Sequence, residues 1–230
     1  MKSKLLDGRV TFNVAAFYEE FSDFQVLEFT GLQFQTFNVP TAESLGLEIE
    51  ATAQPTDNLS FNGGLTLLDA SYPDDCADET SPLRVQNLCG FELTNAPQVV
   101  GLLGATYSND LTNYLNYFLN GQVRYEGDRR TSTQAALVPQ TQDQVGTTPL
   151  NPLDVQESTF KVNLRAGIGS DEGGWGLEVW ATNLTDEVTR GVTFNTPLRG
   201  SAANPFGFTA SRSAFIQEPR TYGVTARKQF

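Results

Sequence analysis

The chain has 230 residues, 39% of them hydrophobic and only 18% charged, with 16 Phe and 7 Tyr; that balance excludes a disordered chain, which would be charge-rich and poor in aromatics. A formal net charge of −12 without any Lys/Arg cluster argues against nucleic acid as a partner. The absence of histidine removes the usual base that activates serine or cysteine and the commonest ligand of catalytic zinc, so an enzyme is not expected.

Residues 1–12, MKSKLLDGRVTF, carry positive charge but lack an apolar core and a small-residue cleavage site. They are therefore not read as an export signal, and the chain is expected to be a mature segment or a piece of a longer precursor. From there period-two alternation recurs. Val10, Phe12, Val14, Ala16 and Tyr18 share one face of a first strand. Leu45, Leu47, Ile49 and Ala51 alternate with Gly46, Glu48, Glu50 and Thr52 in a second. Leu59, Phe61, Gly63, Leu65 and Leu67 mark a third, and 99–107, small and apolar on both faces, a fourth. Leu115, Tyr117, Leu119, Val123 and Tyr125 oppose Asn116, Asn120, Gln122 and Arg124 in a fifth. Phe160, Val162, Leu164, Ala166 and Ile168 oppose Lys161, Asn163, Arg165 and Gly167 in a sixth. Trp175, Leu177, Val179 and Ala181 form a seventh, and Tyr222, Val224, Ala226 and Phe230 an eighth. The reading is all-β, about eight antiparallel strands.

The connections carry an independent signal. Residues 54–58, 108–113 and 170–174 are tight turns, whereas 72–97, 127–157 and 195–219 are long and polar with no strand period. No run reaches the roughly 20 apolar residues of a membrane helix, and the mean hydropathy is −0.29. Strands that alternate lipid-facing with water-facing side chains cancel in such an average. Short turns on one side and long loops on the other are the asymmetry of an outer-membrane barrel, and a soluble sandwich has no reason to sort its loops this way.

Three stretches then resemble TonB-dependent receptors. The first is NVPTAESLGLEIEATAQPTDNLSFNGGLTLLDASY at 38–72, similar to the family's ESxGxExE-like strand, PTDxL periplasmic turn and glycine-containing return strand. The second is LTNAPQ at 93–98, and the third joins NLTDE at 183–187 to the terminal PRTYGVTARKQF at 219–230. The resemblance implies that residues 1–230 form the C-terminal part of a transmembrane barrel of about 22 strands around a plugged lumen. No plug domain and no coupling segment for TonB are expected within this chain, so contact with TonB would run through the absent plug region. By the same resemblance Tyr222, Val224 and Phe230 would carry the signal read by the barrel-assembly machinery, and lipid of the outer membrane would be the other partner. Lys228 departs from the apolar row, but its stem can snorkel at the interface.

Cys76 and Cys89, both in the loop after the third strand, are expected to form a disulfide in an oxidising periplasm or cell surface, since no CxxC and no His completes a metal or redox site. Asp74, Asp75, Asp78 and Glu79 crowd the same loop and are read as a solvated surface in preference to a calcium site. No metal and no cofactor are expected. Glu48, Glu50, Arg124, Lys161, Arg165, Glu178 and Arg227 fall on the inward rows and are the lumen-facing candidates. Arg129 and Arg130 are candidates for an anionic substrate or a lipopolysaccharide phosphate. Tyr107, Tyr125, Trp175 and Tyr222 are placed at the membrane interfaces, with Trp180 on the opposite row. The glycosylation-like tripeptides at 58–60 and 183–185 and the glycines at 167–176 are discarded as sites. The expected function is uptake of an unidentified small molecule, a siderophore, vitamin, sugar or peptide; the alternative is a self-sufficient small barrel serving as anchor or adhesin.

Overall fold

The structure, a computed structural model, describes residues 2–29, 32–135, 139–170, 174–197 and 212–229. Its strands are β1 (Lys2–Leu5), β2 (Val10–Phe29), β3 (Phe34–Thr56), β4 (Leu59–Ser71), β5 (Val99–Thr112), β6 (Leu115–Glu126), β7 (Arg129–Arg130), β8 (Val155–Gln156), β9 (Thr159–Ser170), β10 (Trp175–Thr182), β11 (Arg190–Asn195), β12 (Arg212–Ile216) and β13 (Thr221–Lys228). One antiparallel sheet runs in the order β1-β2-β3-β4-β5-β6-β9-β10-β13. Eight of these nine strands are the expected ones; β1 is a short additional strand folded back on β2, with Lys2 opposite Asn13. Among the described residues β1 and β13 do not pair, so the sheet is open.

Register decides which side chains share a face, because a slip of one residue would exchange the two rows. Val14, Ile49, Leu65, Gly101, Tyr125 and Phe160 are successive cross-strand partners. Farther along, Ile168 faces Leu177, and Val179 faces Val224. The rows called apolar in the sequence thus merge into one continuous apolar face. Among the described residues no second layer covers it: Leu103 is 60% exposed and Val179 52%. In water this surface would forgo roughly 25 cal/mol for every Å² left unburied, a cost that lipid removes.

The opposite face is mainly polar, and three of its aromatic residues are paired with glycine. Phe17 lies over Gly46, Phe118 over Gly167, and Trp180 over Gly223, each ring occupying the space where a side chain on its cross-strand glycine would stand. Such pairs cover strand backbone that glycine leaves bare. Trp180 also donates from Nε1 to Thr225 Oγ1 at 3.2 Å, so the indole is satisfied on the row assigned to it.

β2 and β3 run far beyond the predicted 10–18 and 45–52. With 20 and 23 residues they are about twice the 9–11 residues that cross a bilayer. The sequence period fails at Asp23, which sits in the left-handed backbone region (φ 55°), across from Pro40, which has no N–H to donate. Below this break the row holding Tyr18 is bare; above it the same-parity Phe24, Val26 and Glu28 are covered by loops. The interruption hid the extension from a strict alternation test.

The tight turns at 57–58 and 113–114 and the Leu6–Gly8 turn lie at one end of the sheet, and β13 runs toward that end, with Lys228 opposite Trp175. Residues 171–173 of the third expected tight turn lie outside the described ones. At the other end stand the β2–β3 projection and the described residues of 72–98, 127–158 and 183–220, which together form a crown. Further strands occur there: β7 pairs with β8 inside the predicted irregular stretch 127–157, and β12, inside 195–219, pairs with β11, which precedes that stretch. Their partners are local to the crown and only a few residues long, so no period announces them. The protein's buried apolar core is in this crown, at Val26, Val39, Ala42, Tyr72, Cys76, Val85, Leu88 and Leu150.

Candidate functional site

The short motifs build the connections. In QPTDN, Asn58 reaches the neighbouring turn, donating to Ser108 O at 2.8 Å and Asn109 Oδ1 at 3.1 Å. In NLTDE, Asn183 adopts φ 50°, donates from Nδ2 to Glu187 O at 2.9 Å and accepts from Glu187 N at 3.0 Å. Asn95 of LTNAPQ has φ 58° and donates its N–H to Arg130 O at 2.8 Å. Asn tolerates the left-handed conformation better than other side-chain-bearing residues, which is why it recurs where the chain leaves or joins the wall.

Above the wall, the Cys76–Cys89 disulfide closes the loop that carries the single helical turn Leu83–Gln86, with a Cα–Cα distance of 5.3 Å. The loop's acidic run is not a cluster of metal donors: among the described residues no group of His, Cys, Asp and Glu could hold an ion. Asp78 Oδ1 is occupied instead by Thr80 N at 2.9 Å and Thr80 Oγ1 at 2.7 Å, bonds that hold its carboxyl below the usual range. Arg84 of the helical turn meets Glu28 of β2 at 2.9 Å and lies over the Phe37 ring at 4.8 Å. Asn87 donates to Thr148 O at 2.9 Å and accepts from Gly146 N at 3.1 Å, joining this loop to the next.

A second clasp joins the later loops. Arg212 of β12 forms an ion pair with the fully buried Asp154, with Nε–Oδ1 at 2.9 Å, and also donates to Gln134 and Asn195. Thr193 of β11 donates to Asp154 Oδ1 at 2.6 Å and shares a 2.7 Å hydrogen bond with Thr131. Gln134 in turn donates to Phe29 O at 2.6 Å. The β11–β12 hairpin springs from between β10 and β13 at one side of the sheet, yet Phe194 stacks edge-on against Phe29 of β2 at the other, 5.9 Å between ring centroids. The crown therefore spans the arc of the wall.

Between the β2–β3 projection and this hairpin is a cavity of about 490 Å³. Phe24, Phe29, Phe34, Tyr72, Phe194 and Phe215 supply its rings, and Thr94, Thr131 and Thr193 are among its hydroxyl-bearing residues. No Lys or Arg is among the described lining residues. Sequence reasoning missed this site. Its signals were present in the alternation resuming at Phe24–Phe29 and Phe34–Val39 and in the short run VTFN at 192–195, none of them assigned to a strand, and in SAFI at 213–216, inside the link read as irregular.

The seven inward-row candidates all lie on the polar face. Arg165 and Glu178 are brought together (Nε–Oε1 2.8 Å). Arg124 and Lys161 are direct cross-strand partners; Glu126 accepts from Arg124 Nε at 2.7 Å, and Lys161 donates to Thr189 Oγ1 at 2.9 Å. Glu50 accepts from Asn13 at 3.4 Å, while Glu48 and Arg227 are exposed on β3 and β13. Tyr222 and Val224 stand on the bare apolar row of β13, 78% and 67% exposed; Phe230 lies outside the described residues. The anion-binding expectation for Arg129 is corrected: it is buried and consumed by Glu126 at 2.9 Å, Arg190 O at 3.2 Å and Asn95 Oδ1 at 3.4 Å. Arg130 lies over the Phe91 ring at 5.5 Å, and burial pulls its pKa down.

An open antiparallel wall, bare and apolar on one face, polar on the other and crowned by long loops at one end, is a segment of an outer-membrane β-barrel. Residues 2–184 match the family model described as TonB dependent receptor-like, beta-barrel, and the chain belongs to that family, whose members are outer-membrane proteins. Among solved structures it is similar to the ferric yersiniabactin uptake receptor FyuA from Yersinia pestis, at 18% identity and a TM-score of 0.70, covering 100% of this chain and 29% of that one. The siderophore receptor PiuA from Acinetobacter baumannii matches at 17% identity and a TM-score of 0.62, over 98% of this chain and 26% of its own. BauA, the ferric preacinetobactin receptor of the same organism, matches at 14% and 0.60, over 98% and 27%. These likenesses concern the fold, and the chain spans less than a third of the length of each receptor. No curated protein matches it.

Proposed function

We propose that this chain is the C-terminal wall and crown of an outer-membrane receptor that takes up a small molecule of the siderophore class, driven by energy delivered through TonB to a plug region outside the chain. The observation that carries this reading is the pairing of a bare apolar face with a polar face over eight consecutive strands, under a crown that holds a cavity. In a closed barrel the polar rows would face the lumen, where Glu48, Glu50, Arg124, Lys161, Arg165, Glu178 and Arg227 would meet water or the plug. Tyr222, Val224 and Phe230 would present the terminal strand to the assembly machinery. No bond is made or broken in this role; the chain supplies a wall, a mouth and an assembly signal.

The test uses the parent gene in its own host under iron limitation. The protein should be recovered in the outer-membrane fraction, and deletion should abolish protonophore-sensitive accumulation of radiolabelled iron supplied as the host's own chelates. Recovery in the cytosol, or accumulation that ignores both deletion and protonophore, would refute the proposal.

A further inference from the structure

We infer that the crown cavity is a binding site for an uncharged aromatic group, so that the ligand taken up presents a ring system and not an anionic chelate face at this point; the inference rests on the uptake reading above. A volume of about 490 Å³ falls within the roughly 300–1,000 Å³ of small-molecule sites. Its wall holds ring-ring contacts at geometries that accept a further ring: Phe29–Phe34 at 4.9 Å, Phe194–Phe215 at 5.2 Å and Phe24–Tyr72 at 6.2 Å between centroids.

Charge sets the class. The one carboxylate among the described wall residues, Glu28, is already paired with Arg84. Nearby, Arg212 is engaged by Asp154 and Arg129 by Glu126, and Arg130, whose buried Nη1 has no hydrogen-bond partner, lies against Phe91 and is not among the described residues of the cavity wall. An anion entering here would shed its hydration without gaining a counter-ion from the described wall, which is unfavourable. A neutral ring loses nothing of the kind. One polar contact is on offer: Thr94 belongs to the wall, and its buried Oγ1 has no hydrogen-bond partner. Rotation about its χ1 would turn the hydroxyl to a ligand oxygen or nitrogen.

The experiment uses the full-length receptor purified from outer membranes into amphipol, with naphthol as the neutral probe and naphthalenesulfonate as the anionic one, followed by saturation-transfer NMR and calorimetry. Saturable naphthol binding is expected, about tenfold or more tighter than naphthalenesulfonate, and Phe194→Ala should weaken it by about tenfold. Val192→Trp, which fills the cavity without removing a wall ring, should abolish binding while the receptor keeps its heat-modifiable gel mobility. Phe160→Ala, on the bare face of the wall, should leave binding unchanged. Equal affinity for the two probes, no saturable binding, or indifference to Val192→Trp would overturn the inference. Because these measurements need neither TonB nor a membrane potential, their failure is distinguishable from failure of the uptake proposal, which is read in cells.

Discussion

The wall and the crown of this protein are stabilised by different means, although they share two strands. In the wall, ladder hydrogen bonds hold strands whose apolar row has no protein partner among the described residues; in the crown, the same β2 and β3 continue upward and become part of a conventional core, with Val39 fully buried and Val26 nearly so. The change comes at Asp23 and Pro40. Below them the partner of the apolar row is lipid, and above them it is the rest of the chain. One segment can serve both environments because a strand commits only its backbone to its neighbours and leaves each face free to choose its surroundings.

If this division is right, damage to one region should leave the other standing. The largest effect is expected from Arg212→Ala, which strands Asp154 as a buried charge; about 3–5 kcal/mol of crown stability should be lost. Hydrogen exchange would then accelerate across β7, β8, β11 and β12 while β9 and β10 keep their protection. Uniform acceleration would mean that wall and crown unfold as one.

The reverse test places a charge in the wall. Val179→Arg, on the bare face of β10, should cost up to about 4 kcal/mol in urea unfolding from lipid bilayers, whereas Thr66→Arg, on the polar face of β4 opposite Glu48, should be close to neutral. Equal penalties would contradict the assignment of the two faces. Next comes the disulfide: replacing Cys76 and Cys89 by Ser should cost about 3 kcal/mol for a loop of this size, registered as protease sensitivity of 72–98 with unchanged gel mobility of the barrel.

The smallest effect is a pH dependence confined to the crown. Burial is the largest influence on Glu28 and raises its pKa above 4.5, opposed by Arg84, Gln134 and Arg212. The folded crown therefore binds this proton more tightly than the unfolded chain, so the contribution is fully present below the unfolded value and is lost as pH rises through the folded value. Glu28→Gln should flatten the pH profile of crown exchange, and a profile left unchanged would remove Glu28 as its source.

How much of this was legible beforehand follows from the same division. Alternation located seven of the eight wall strands, β5 being read instead as a run small and apolar on both faces, and the motifs at 54–58 and 108–113 located two of the tight ends, because these signals are local. The disulfide was legible from the company its cysteines keep: two thiols in one long loop, with no metal-ligand pattern near either. Arg129 was misread because its partners Glu126, Asn95 and Arg190 O come from three segments, and only folding brings them together. The cavity was missed for the same reason, since Phe24, Phe34, Phe194 and Phe215 are scattered over nearly the whole chain.

The amino-acid sequence alone determined the wall: period-two patterning fixes which face each residue takes once a strand forms, and lipid asks for nothing more than that the outer row be apolar. Tertiary structure decided the crown. There the partners are distant in sequence and unpatterned, so the pairing of Asp154 with Arg212 and the meeting of Phe29 with Phe194 exist only after four separate segments have been laid over one another.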